Sequence, residues 1–568
     1  MKILRRRVKT ALNIFRGGGM RGLRRHWNKL ARQRREDRAY QKWLELDGTI
    51  DDAKRANVRE AVKVLAYEPL ISIILPVYNI DERWLRKCIG SVIRQIYANW
   101  ELCVADDAST EPHIARVLNE FAASDGRIKV MFRETNGHIS AASNSALELA
   151  VGEFCVLLDH DDELSEDALF YVAKALNADP AIAMIYSDED KIDENGRRFY
   201  PSFKPDWSRD LFYSINLVTH LSAYRTDVLR KIGGFREGYE GSQDYDLALR
   251  VIEQISDDQI RHIPRILYHW RAIKGSVALS GGEKSYAHER ARLALRSHFE
   301  RIGVNAEVLA TVHDLHRIRY ELPPPVPKAA VIIDACSQNG FSHEIAGRIA
   351  AETDYSNFET TLVTNGSNFE TEGINVVSSD SQNRAERLNA AAAKADADLL
   401  VFLNTGIGPK SPEWLDELVR FAVQGKIGAV GGKIVTHDGV VVTNGLIIGA
   451  GDIVSDAHAG LYSEEAGNMW RNLIVGNFSA VSAQVMAIRT GVFRSAGGFD
   501  TDAFPQGLFD ADLCLRLREQ GFRIVSTPYA EFVAAEKFPR QISDAERLEF
   551  DKRWHEYIEH DPFFIKNI

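Results

Sequence analysis

One stretch of this sequence occurs twice, and this repetition constrains the fold more than any other feature. The first copy, AYRTDVLRKIGGF, covers residues 223–235, and the second, AIRTGVFRSAGGF, covers residues 487–499. Slightly later, DYDLALR at 244–250 is matched by DADLCLR at 510–516. The distance between the copies is far longer than the period of any solenoid repeat. We therefore expect two copies of one domain fold.

The segments between these stretches alternate between two patterns. Short β-branched runs predict strands, and apolar residues that recur every three or four positions predict helices. Together they indicate an α/β fold with a mostly parallel sheet flanked by helices. In the first copy we predict strands over Ile71–Val77, Glu101–Ala105, Ile128–Phe132, Phe154–Leu158 and Ile182–Tyr186, and helices over Glu82–Ile96, Glu111–Ala123, Ser140–Ala150 and Ser165–Leu176. In the second copy the strands are Ala329–Ile333, Phe358–Val363, Ile374–Val377 and Leu399–Leu403.

Composition divides the chain into four parts. Residues 1–65 form a basic segment with a helical pattern, residues 66–320 hold the first domain and residues 329–568 hold the second. The part between the domains, residues 321–328, contains PPPVP, which cannot form a helix or lie inside a sheet. We interpret it as a stiff linker.

The amino-terminal segment is basic, whereas the rest of the chain is acidic. The net charge is −10, but the first 45 residues hold fifteen Lys or Arg against three acids, which leaves about −22 on the remainder. Apolar residues such as Phe15 and Trp27 lie among these cations. This mixture suits an anionic membrane surface, where each cation contributes about 1 kcal/mol. A solvated basic helix or an RNA contact is the alternative, and the acidic body disfavours nucleic acid.

Cysteine usage and hydropathy indicate the compartment. The five cysteines have no CxxC spacing, which fits neither a disulfide framework nor a zinc site. No stretch approaches the roughly 18 to 20 apolar residues that span a bilayer, and the first residues lack the apolar core of a signal peptide. We expect a cytoplasmic protein that lies peripherally on the inner face of the cytoplasmic membrane.

Acidic side chains cluster where the predicted strands of the first domain end. In an open α/β sheet the ligand crevice lies beyond these carboxyl ends. Asp159 and Asp161 are two positions apart on extended chain, so both carboxylates can approach one hard cation, Mg²⁺ or Mn²⁺. Such an ion would stabilise the charge of a departing diphosphate. The alternative is that strand-ending acids, Asp162 in particular, only cap the next helix.

Four motifs of the first domain resemble those of the family 2 glycosyltransferases, which bind nucleotide sugars in a fold called GT-A. They are IILPVYN at 73–79, VADDAST at 104–110, NG at 136–137 and VLLDHDD at 156–162, within a match over residues 69–308. The resemblance implies two tandem GT-A domains, a nucleotide-sugar donor and a Mn²⁺ or Mg²⁺ cofactor. With the spacing argument it assigns metal binding to Asp159, Asp161 and His269, and nucleotide-sugar binding to Pro76, Tyr78, Asn79, Asp106, Asp107, Asn136, Asp159, His160 and Arg271.

Asp244 lies where the family places its catalytic base, just before a helix. By that resemblance it would deprotonate an acceptor hydroxyl that attacks the anomeric carbon opposite the diphosphate, which inverts the configuration. Asp244 could instead cap the helix, and the two roles can coexist. His269, beside a tryptophan, could equally be structural. Where the family often has an Arg before Asn144, this chain has Ser143, which puts that donor contact in question.

Two further motifs resemble the rhamnosyltransferase-like members of the family that build bacterial surface polysaccharides. They are YSDEDK at 186–191 and FKPDW at 203–207. The resemblance implies work on O-antigen or capsule, with a UDP- or dTDP-sugar as donor. It implies a hydroxyl of a lipid-linked oligosaccharide or polysaccharide as acceptor.

The second copy lacks most residues of this predicted site. Its first strand ends in DACS at 334–337 instead of PVYN, and its fourth ends in NTG at 404–406, where a glycine cannot bind a metal. Asp510 keeps the position of the base, but FVA at 532–534 replaces the late histidine. We expect a catalytically silent domain in which Asp510 only caps a helix. A bifunctional chain with two active domains is the alternative.

Three other classes of protein fit less well. A noncatalytic glycan-binding or scaffold protein of a polysaccharide assembly complex would not need the intact acidic strand ends of the first domain. A processive synthase would carry a QxxRW motif and membrane spans, which this sequence lacks. A nucleotidyltransferase would normally have a Gly-rich basic loop after the first strand, where this chain has NIDE at 79–82.

Overall fold

The computed structural model describes most of the chain beyond its first residues. The described residues are 20, 25–27, 30–273, 285–335, 342–364, 373–535 and 539–565. Much of the predicted membrane segment, including Phe15, lies outside them, as do Cys336 and Ser337. In the described part of the basic segment, helix α1 covers residues 30–43 and runs into a π-helical turn at Leu44–Gly48. Helix α2 (Asp52–Lys63) follows, capped by Asp51.

The first domain is a nine-stranded sheet with helices packed against it. Its strand order is β3-β2-β1-β4-β8-β6-β9-β5, with β7 paired to β6. The strands are β1 (Ile71–Val77), β2 (Trp100–Asp106), β3 (Ile128–Phe132), β4 (Phe154–Leu157), β5 (Glu163–Leu164), β6 (Met184–Ile192), β7 (Arg198–Ser202), β8 (Ser222–Arg225) and β9 (Ile260–Arg271). The helices are α3 (Glu82–Ile93), α4 (Pro112–Ser124), α5 (His138–Leu149), α6 (Ala168–Ala178), α7 (Arg209–Ser214), α8 (Thr226–Lys231) and α9 (Gln243–Val251).

The direction of the strands determines which strand ends meet at the candidate site. Strands β1 to β4 run parallel, and all seven residues of β1 are buried, as expected for a strand covered on both faces. Strand β8 runs antiparallel to both β4 and β6. The amino end of β8 therefore reaches the same edge of the sheet as the carboxyl ends of β1, β2 and β4.

A helix, a hairpin and the proline-rich segment connect the domains. Helix α10 (Ser285–Arg301) precedes the antiparallel strands β10 (Ala306–Ala310) and β11 (His316–Tyr320). The proline-rich linker is then held against the second domain, because Tyr355 Oη donates to Pro327 O at 2.7 Å and Asn357 Nδ2 to Val326 O at 2.8 Å. The linker is thus a packed segment of the structure.

The second domain repeats the strand order of the first sheet and adds one strand, β21. Its order is β14-β13-β12-β15-β22-β17-β23-β16, with β18 paired to β17 and β21 to β23, so the predicted duplication of an α/β domain is confirmed. The strands are β12 (Ala329–Asp334), β13 (Phe358–Thr364), β14 (Ile374–Ser378), β15 (Leu399–Asn404), β16 (Ile407–Pro409), β17 (Ile427–Thr436), β18 (Val441–Thr443), β19 (Leu446–Ile448), β20 (Val454–Asp456), β21 (Gly476–Asn477), β22 (Val485–Arg489) and β23 (Arg523–Ala534). The helices are α11 (Ser342–Glu352), α12 (Arg384–Lys394), α13 (Trp414–Ala422), α14 (Thr490–Ser495), α15 (Phe509–Glu519) and α16 (Asp544–Glu559).

The repeated Gly-Gly-Phe stretch makes the same clamp in both domains. In the first domain the side chain of Asn144 donates to Phe235 O and accepts from Phe235 N, both at 2.8 Å. In the second, Asn389 bonds Phe499 in the same way, at 2.8 and 3.0 Å. Asn144 therefore has a structural role, since it fixes the turn that leads towards α9.

The two domains share one interface and one hydrophobic core. A single cluster of buried side chains includes Leu211 of α7 and Val475, which precedes β21. At its edge the carboxylate of Asp210, in α7, accepts from Asn477 Nδ2 and Arg523 Nε of the second domain, both at 2.7 Å. The second domain is thus packed directly against α7 of the first.

Candidate active site

Most of the predicted nucleotide-binding residues lie at the carboxyl ends of β1, β2 and β4, whereas Asn136 precedes α5 and Arg271 ends β9. His160 donates through Nδ1 to Pro76 O at 3.1 Å, which ties the ends of β1 and β4 together. Asn79 Oδ1 accepts from Thr110 N at 2.8 Å and so holds the loop after β2. Between them Tyr78 is 45% exposed, which leaves its ring accessible to a ligand.

The neighbouring acids Asp106 and Asp107 have different surroundings. Asp106 is buried, and its Oδ1 has no hydrogen-bond partner among the described residues. A buried carboxylate oxygen without a donor is costly, so this position fits a donor group of a ligand. Asp107 Oδ1 instead accepts from Arg133 Nε and Gly137 N at 2.9 Å, and Asn136 Nδ2 donates to Asp107 O at 3.2 Å. Asp107 and Asn136 therefore shape the loop before α5.

The acidic loop after β4, residues 159–163, brings together three groups that could hold a metal ion. Asp159, Asp162 and His220 each offer one ligand atom, and these atoms lie within 4.8 Å of one another. The side chain of Asp159 is 43% exposed, whereas Asp162 is fully buried. Two carboxylates and an imidazole form a donor set that accepts a divalent ion such as Mn²⁺.

Asp162 is held from β9 and does not cap a helix. Its Oδ2 accepts from Tyr268 Oη and its Oδ1 from Arg271 N, both at 2.7 Å. Helix α6 begins at Ala168, after Asp167, which is too far along the chain for Asp162 to cap it. The capping interpretation of Asp162 is therefore replaced by one in which this carboxylate anchors the acidic loop to β9.

Arg271 also braces the acidic loop. Its side chain is fully buried, its Nε donates to Asp161 O at 2.7 Å, and its guanidinium forms an ion pair with Glu163. The same guanidinium lies 4.5 Å from the ring centre of Trp84. These contacts use Arg271 within the protein, whereas its predicted contact with a donor phosphate stays a prediction.

The carboxylates of the acidic loop repel one another. Burial raises the pKa of Asp161; His160 opposes the shift and the charge of Asp159 adds to it. Burial also raises the pKa of Asp162 well above its usual range, with the charges of Asp161 and Asp159 adding to the effect. A divalent cation would relieve this repulsion, so the loop fits such an ion on electrostatic grounds.

His220 belongs to this site and was missed from the sequence. Its Nε2 lies 3.7 Å from Asp159 Oδ2, its Nδ1 lies 3.2 Å from Glu189 Oε2, and its ring stacks on Tyr268 at 4.5 Å. Burial alone would lower its pKa, but Asp159 and Glu189 outweigh burial and raise it well above its usual range. Our prediction considered only the carboxyl ends of strands, whereas His220 precedes the antiparallel strand β8.

Asp244 lies beside the acidic loop, as the second residue of α9. Its Oδ2 accepts from Asn216 Nδ2 at 2.8 Å. Burial raises its pKa; His220 opposes this shift, and the charge of Asp159 adds to it. A carboxylate with a raised pKa is a stronger proton acceptor, which suits the predicted role of base. Helix α9 is preceded by Ser242, whose side chain makes no capping hydrogen bond to it.

His269 lies near the carboxyl end of β9, at the same edge of the sheet. It pairs with Glu163 in the β5–β9 register, and its Nδ1 lies 2.6 Å from Asp190 Oδ1. It is not part of the group formed by Asp159, Asp162 and His220. Its predicted role as a metal ligand therefore stays a prediction.

Comparison with protein families fits this arrangement. The model described as glycosyl transferase family 2 matches residues 72–233, and the model described as glycosyltransferase like family 2 matches residues 327–556. The chain belongs to glycosyl transferase family 2. The first match covers most of the first sheet but ends before β9, and the second covers the whole second sheet, so both halves of this family 2 glycosyltransferase match family 2 models.

Several curated proteins resemble this family 2 glycosyltransferase. "Uncharacterized protein y4gI" of Sinorhizobium fredii is 38% identical over 91% of this chain, and the O-antigen biosynthesis protein RfbC of Myxococcus xanthus is 34% identical over 90%. This chain spans only 59% and 41% of those two proteins. The crystal structure of Staphylococcus aureus TarS 1–349 with UDP-GlcNAc is 22% identical over 39% of this chain and 65% of that one, with a TM-score of 0.33.

Two acids at the site edge of the second domain are paired with arginines. Asp334, at the end of β12, is bonded by Arg384 at 3.1 Å and by Arg387 at 3.3 Å. Asp510 is bonded by Arg540 at 2.7 and 3.0 Å and accepts from Ala483 N at 2.9 Å. Asp510 is thus more than a helix-end residue, because its carboxylate pairs with Arg540, whose side chain is 14% exposed.

These pairs change the chemistry of the second domain. Burial alone would raise the pKa of Asp510, but Arg540 outweighs burial and lowers it. A carboxylate held ionised by an arginine is a poor proton acceptor. Across the described residues, the group of Asp159, Asp162 and His220 is the one set of three side chains placed to share a metal ion, and it lies in the first domain.

Proposed function

We propose that the first domain transfers a sugar from UDP or dTDP to a hydroxyl of a cell-surface polysaccharide or lipid-linked glycan, with inversion at the anomeric carbon. The carrying observation is that Asp159, Asp162 and His220 lie within 4.8 Å of one another beside the raised-pKa carboxyl of Asp244. The similarity to RfbC, named for O-antigen biosynthesis, supports a surface glycan as the product.

Different residues of the site are assigned to the sugar donor and to the acceptor. We assign the donor nucleotide to the edge formed by Tyr78 and Asp106, where a buried carboxylate oxygen lacks a donor. A Mn²⁺ or Mg²⁺ ion, held by Asp159 with Asp161 or Asp162 and by His220 or His269, would supply positive charge to the departing diphosphate.

Asp244 would take the proton of the attacking hydroxyl. Asn216 donates to one oxygen of this carboxylate at 2.8 Å, which fixes the orientation of the carboxylate. The proton passes from the acceptor oxygen to Asp244 as the new glycosidic bond forms and the bond to the diphosphate breaks. Attack opposite the leaving group inverts the anomeric centre.

We propose that the second domain is catalytically silent, because its acids are paired with Arg384, Arg387 and Arg540. We further propose that the basic amino-terminal segment associates with the inner face of the cytoplasmic membrane. Within the described residues, no helix is both long and apolar enough to cross a bilayer.

A donor screen tests the proposed reaction. The full chain is incubated with UDP- and dTDP-sugars, with and without Mn²⁺, and hydrolysis and thermal stabilisation are measured. We expect a nucleoside diphosphate to stabilise the protein only when the metal is present. If no nucleotide gives a response, the transferase assignment fails and a noncatalytic glycan-binding scaffold becomes the better account.

A further inference from the structure

A buried carboxylate behind the active site accepts hydrogen bonds from three residues in different parts of the chain. Asp190, in β6, has a fully buried side chain. His269 Nδ1 lies 2.6 Å from its Oδ1, and Arg198 Nε donates to its Oδ2. The third donor is the hydroxyl of Tyr40, which also bonds Oδ2. We call these four residues the Asp190 cluster.

Tyr40 reaches this cluster from outside the glycosyltransferase domain. It lies in α1, ahead of the family match that begins at residue 72, yet it is only 1% exposed. Its ring stacks on Trp43 at 5.7 Å, and Trp43 meets Phe203 edge-on at 6.3 Å. The hydroxyl is therefore held at Asp190 by a packed aromatic contact.

A second set of bonds fastens the same helix to the other side of the cluster. Gln41 Nε2 donates to Arg198 O at 3.0 Å, and Arg198 Nη1 donates to Gly48 O at 2.6 Å. The end of α1 and the turn after it are thus tied to the residue that shares Asp190 with Tyr40. This part of the basic segment is built into the catalytic domain.

We propose that Tyr40 is a positioning residue for the transfer reaction, which acts through Asp190 to fix the ring of His269 at the active-site edge. A carboxylate bonded to Nδ1 of a histidine sets its tautomer and leaves Nε2 as the free ring nitrogen. The Tyr40 hydroxyl holds that carboxylate in place. The proposal rests on the function proposed above, in which His269 faces the donor diphosphate or its metal ion.

The test removes only the hydroxyl, in the full chain. Tyr40→Phe keeps the ring that stacks on Trp43, and Tyr97→Phe is the matched control. Tyr97 is also fully buried, and it donates a single hydrogen bond, to Pro69 O at 2.7 Å, away from the acidic loop. Three quantities are measured for both variants: Mn²⁺ affinity in the presence of UDP, kcat with a donor found in the screen, and the ¹⁵N shifts of the His269 ring, assigned with His269→Gln.

Loss of an outer partner of a metal-binding histidine lowers metal affinity or activity by about 10- to 100-fold. Because Tyr40 acts through Asp190, we expect the lower end for Tyr40→Phe, about tenfold in Mn²⁺ affinity and in kcat, with little change for Tyr97→Phe. We also expect the His269 ring to shift from one tautomer to a mixture.

Two outcomes would overturn the proposal. In the first, the His269 ring shifts of Tyr40→Phe equal those of the wild type. In the second, both variants lose affinity and rate equally, which would make the hydroxyl a general stabilising contact. The ring shifts need no transfer activity, so they test Tyr40 even if the wild type proves inactive, a result that would defeat the proposed function instead.

Discussion

Asp244 and Asp510 occupy matching positions in the two domains but have opposite electrostatic surroundings. Asp244 accepts a hydrogen bond from the neutral side chain of Asn216 and has a raised pKa. Asp510 is bonded by Arg540 and has a lowered pKa. The same residue type is thus suited to accept a proton in one domain and to hold an ion pair in the other.

Replacing each of these acids by asparagine should separate activity from stability. Asp244→Asn removes the proposed base, and we expect kcat to fall by about 10² to 10⁴-fold. The fold should not lose stability, because a carboxyl with a raised folded pKa is destabilising when ionised. Steady-state kinetics and urea unfolding at neutral pH measure both effects.

Asp510→Asn serves as the matched control. It leaves Arg540, whose side chain is only 14% exposed, without its counter-charge, so we expect a loss of about 3 kcal/mol in the free energy of unfolding. The variant that remains folded should transfer sugar at the wild-type rate. An equal loss of kcat in both variants would refute the silent second domain.

His262 should make stability depend on pH. Its ring lies 3.0 Å from both Asp188 and Asp206. Burial alone would lower its pKa, but the two acids outweigh burial and raise it above 6.5. A raised folded pKa stabilises the fold fully below pH 6.5, and this contribution is lost as the pH rises through the folded value. We expect His262→Gln to cost about 2 kcal/mol at pH 6 and less at pH 9.

Urea unfolding of wild type and His262→Gln at the two pH values checks this expectation. A difference in unfolding free energy that is equal at both values, or larger at pH 9, would show that His262 is neutral in the folded protein. The ion pairs with Asp188 and Asp206 would then be plain hydrogen bonds.

The site residues that could be predicted from the sequence are those at the carboxyl ends of parallel strands. Asp106 ends a parallel strand, and Asp159 and Asp161 follow another, so their positions at one edge could be predicted from the sequence. His220 and Asn216 precede an antiparallel strand, and Tyr40 comes from a helix before the domain. Nothing in the spacing of these three residues links them to the acidic loop or to Asp190, so only the fold brings them close to the site.

At the scale of structural elements, the Gly-Gly-Phe turn explains why both domains carry the same stretch of sequence. Gly234 has φ +68°, and a Cβ on it would lie 2.4 Å from Asn144 Oδ1. Gly233 also has a positive φ, +78°, but a Cβ there meets nothing within 4 Å. The two neighbours thus share the backbone strain and differ only in crowding.

Gly234→Ala should therefore be the more damaging of two otherwise similar substitutions. Strain of a left-handed residue costs about 1–2 kcal/mol in each, and Gly234→Ala must also displace the side chain of Asn144. We expect about 3 kcal/mol of destabilisation for Gly234→Ala and about 1 kcal/mol for Gly233→Ala, measured by urea unfolding. Equal losses would mean that the clamp by Asn144 adds nothing.

The agreement between predicted and observed strand boundaries varies along the chain. The strands at Ile71–Val77 and Ile128–Phe132 agree with β1 and β3 at both ends. The strand predicted at Ile182–Tyr186 is instead Met184–Ile192 (β6), whose second half is acidic and buried. Glu189 there is paired with Lys204 at 3.5 Å, a compensation that hydropathy cannot reveal.

At the scale of the whole molecule, the interface between the domains determines how the chain unfolds. Asp210 is 2% exposed and lies 2.7 Å from Arg523, and one hydrophobic cluster runs through both domains. We expect calorimetry to show one cooperative transition for the full chain. Asp210→Ala should lower the free energy of unfolding by about 3–5 kcal/mol, since Arg523 loses its counter-charge.

Two results would contradict this account. One is a wild type that unfolds in two well-separated transitions, and the other is an Asp210→Ala variant as stable as the wild type. Either result would make the domains independent bodies joined by their linker. The interface itself was not predictable, because Asp210 and Asn477 sit in segments without any sequence motif.

The central claim is that this family 2 glycosyltransferase has one metal-dependent site, at the acidic loop of its first domain. The most direct test is an anomalous difference map at the manganese edge from crystals soaked with Mn²⁺ and UDP. We predict a peak in contact with Asp159 or Asp161, next to the UDP diphosphate, and no peak at the matching edge beside Asn404. A map with UDP bound but no manganese at the acidic loop, or with manganese beside Asn404 instead, would contradict it.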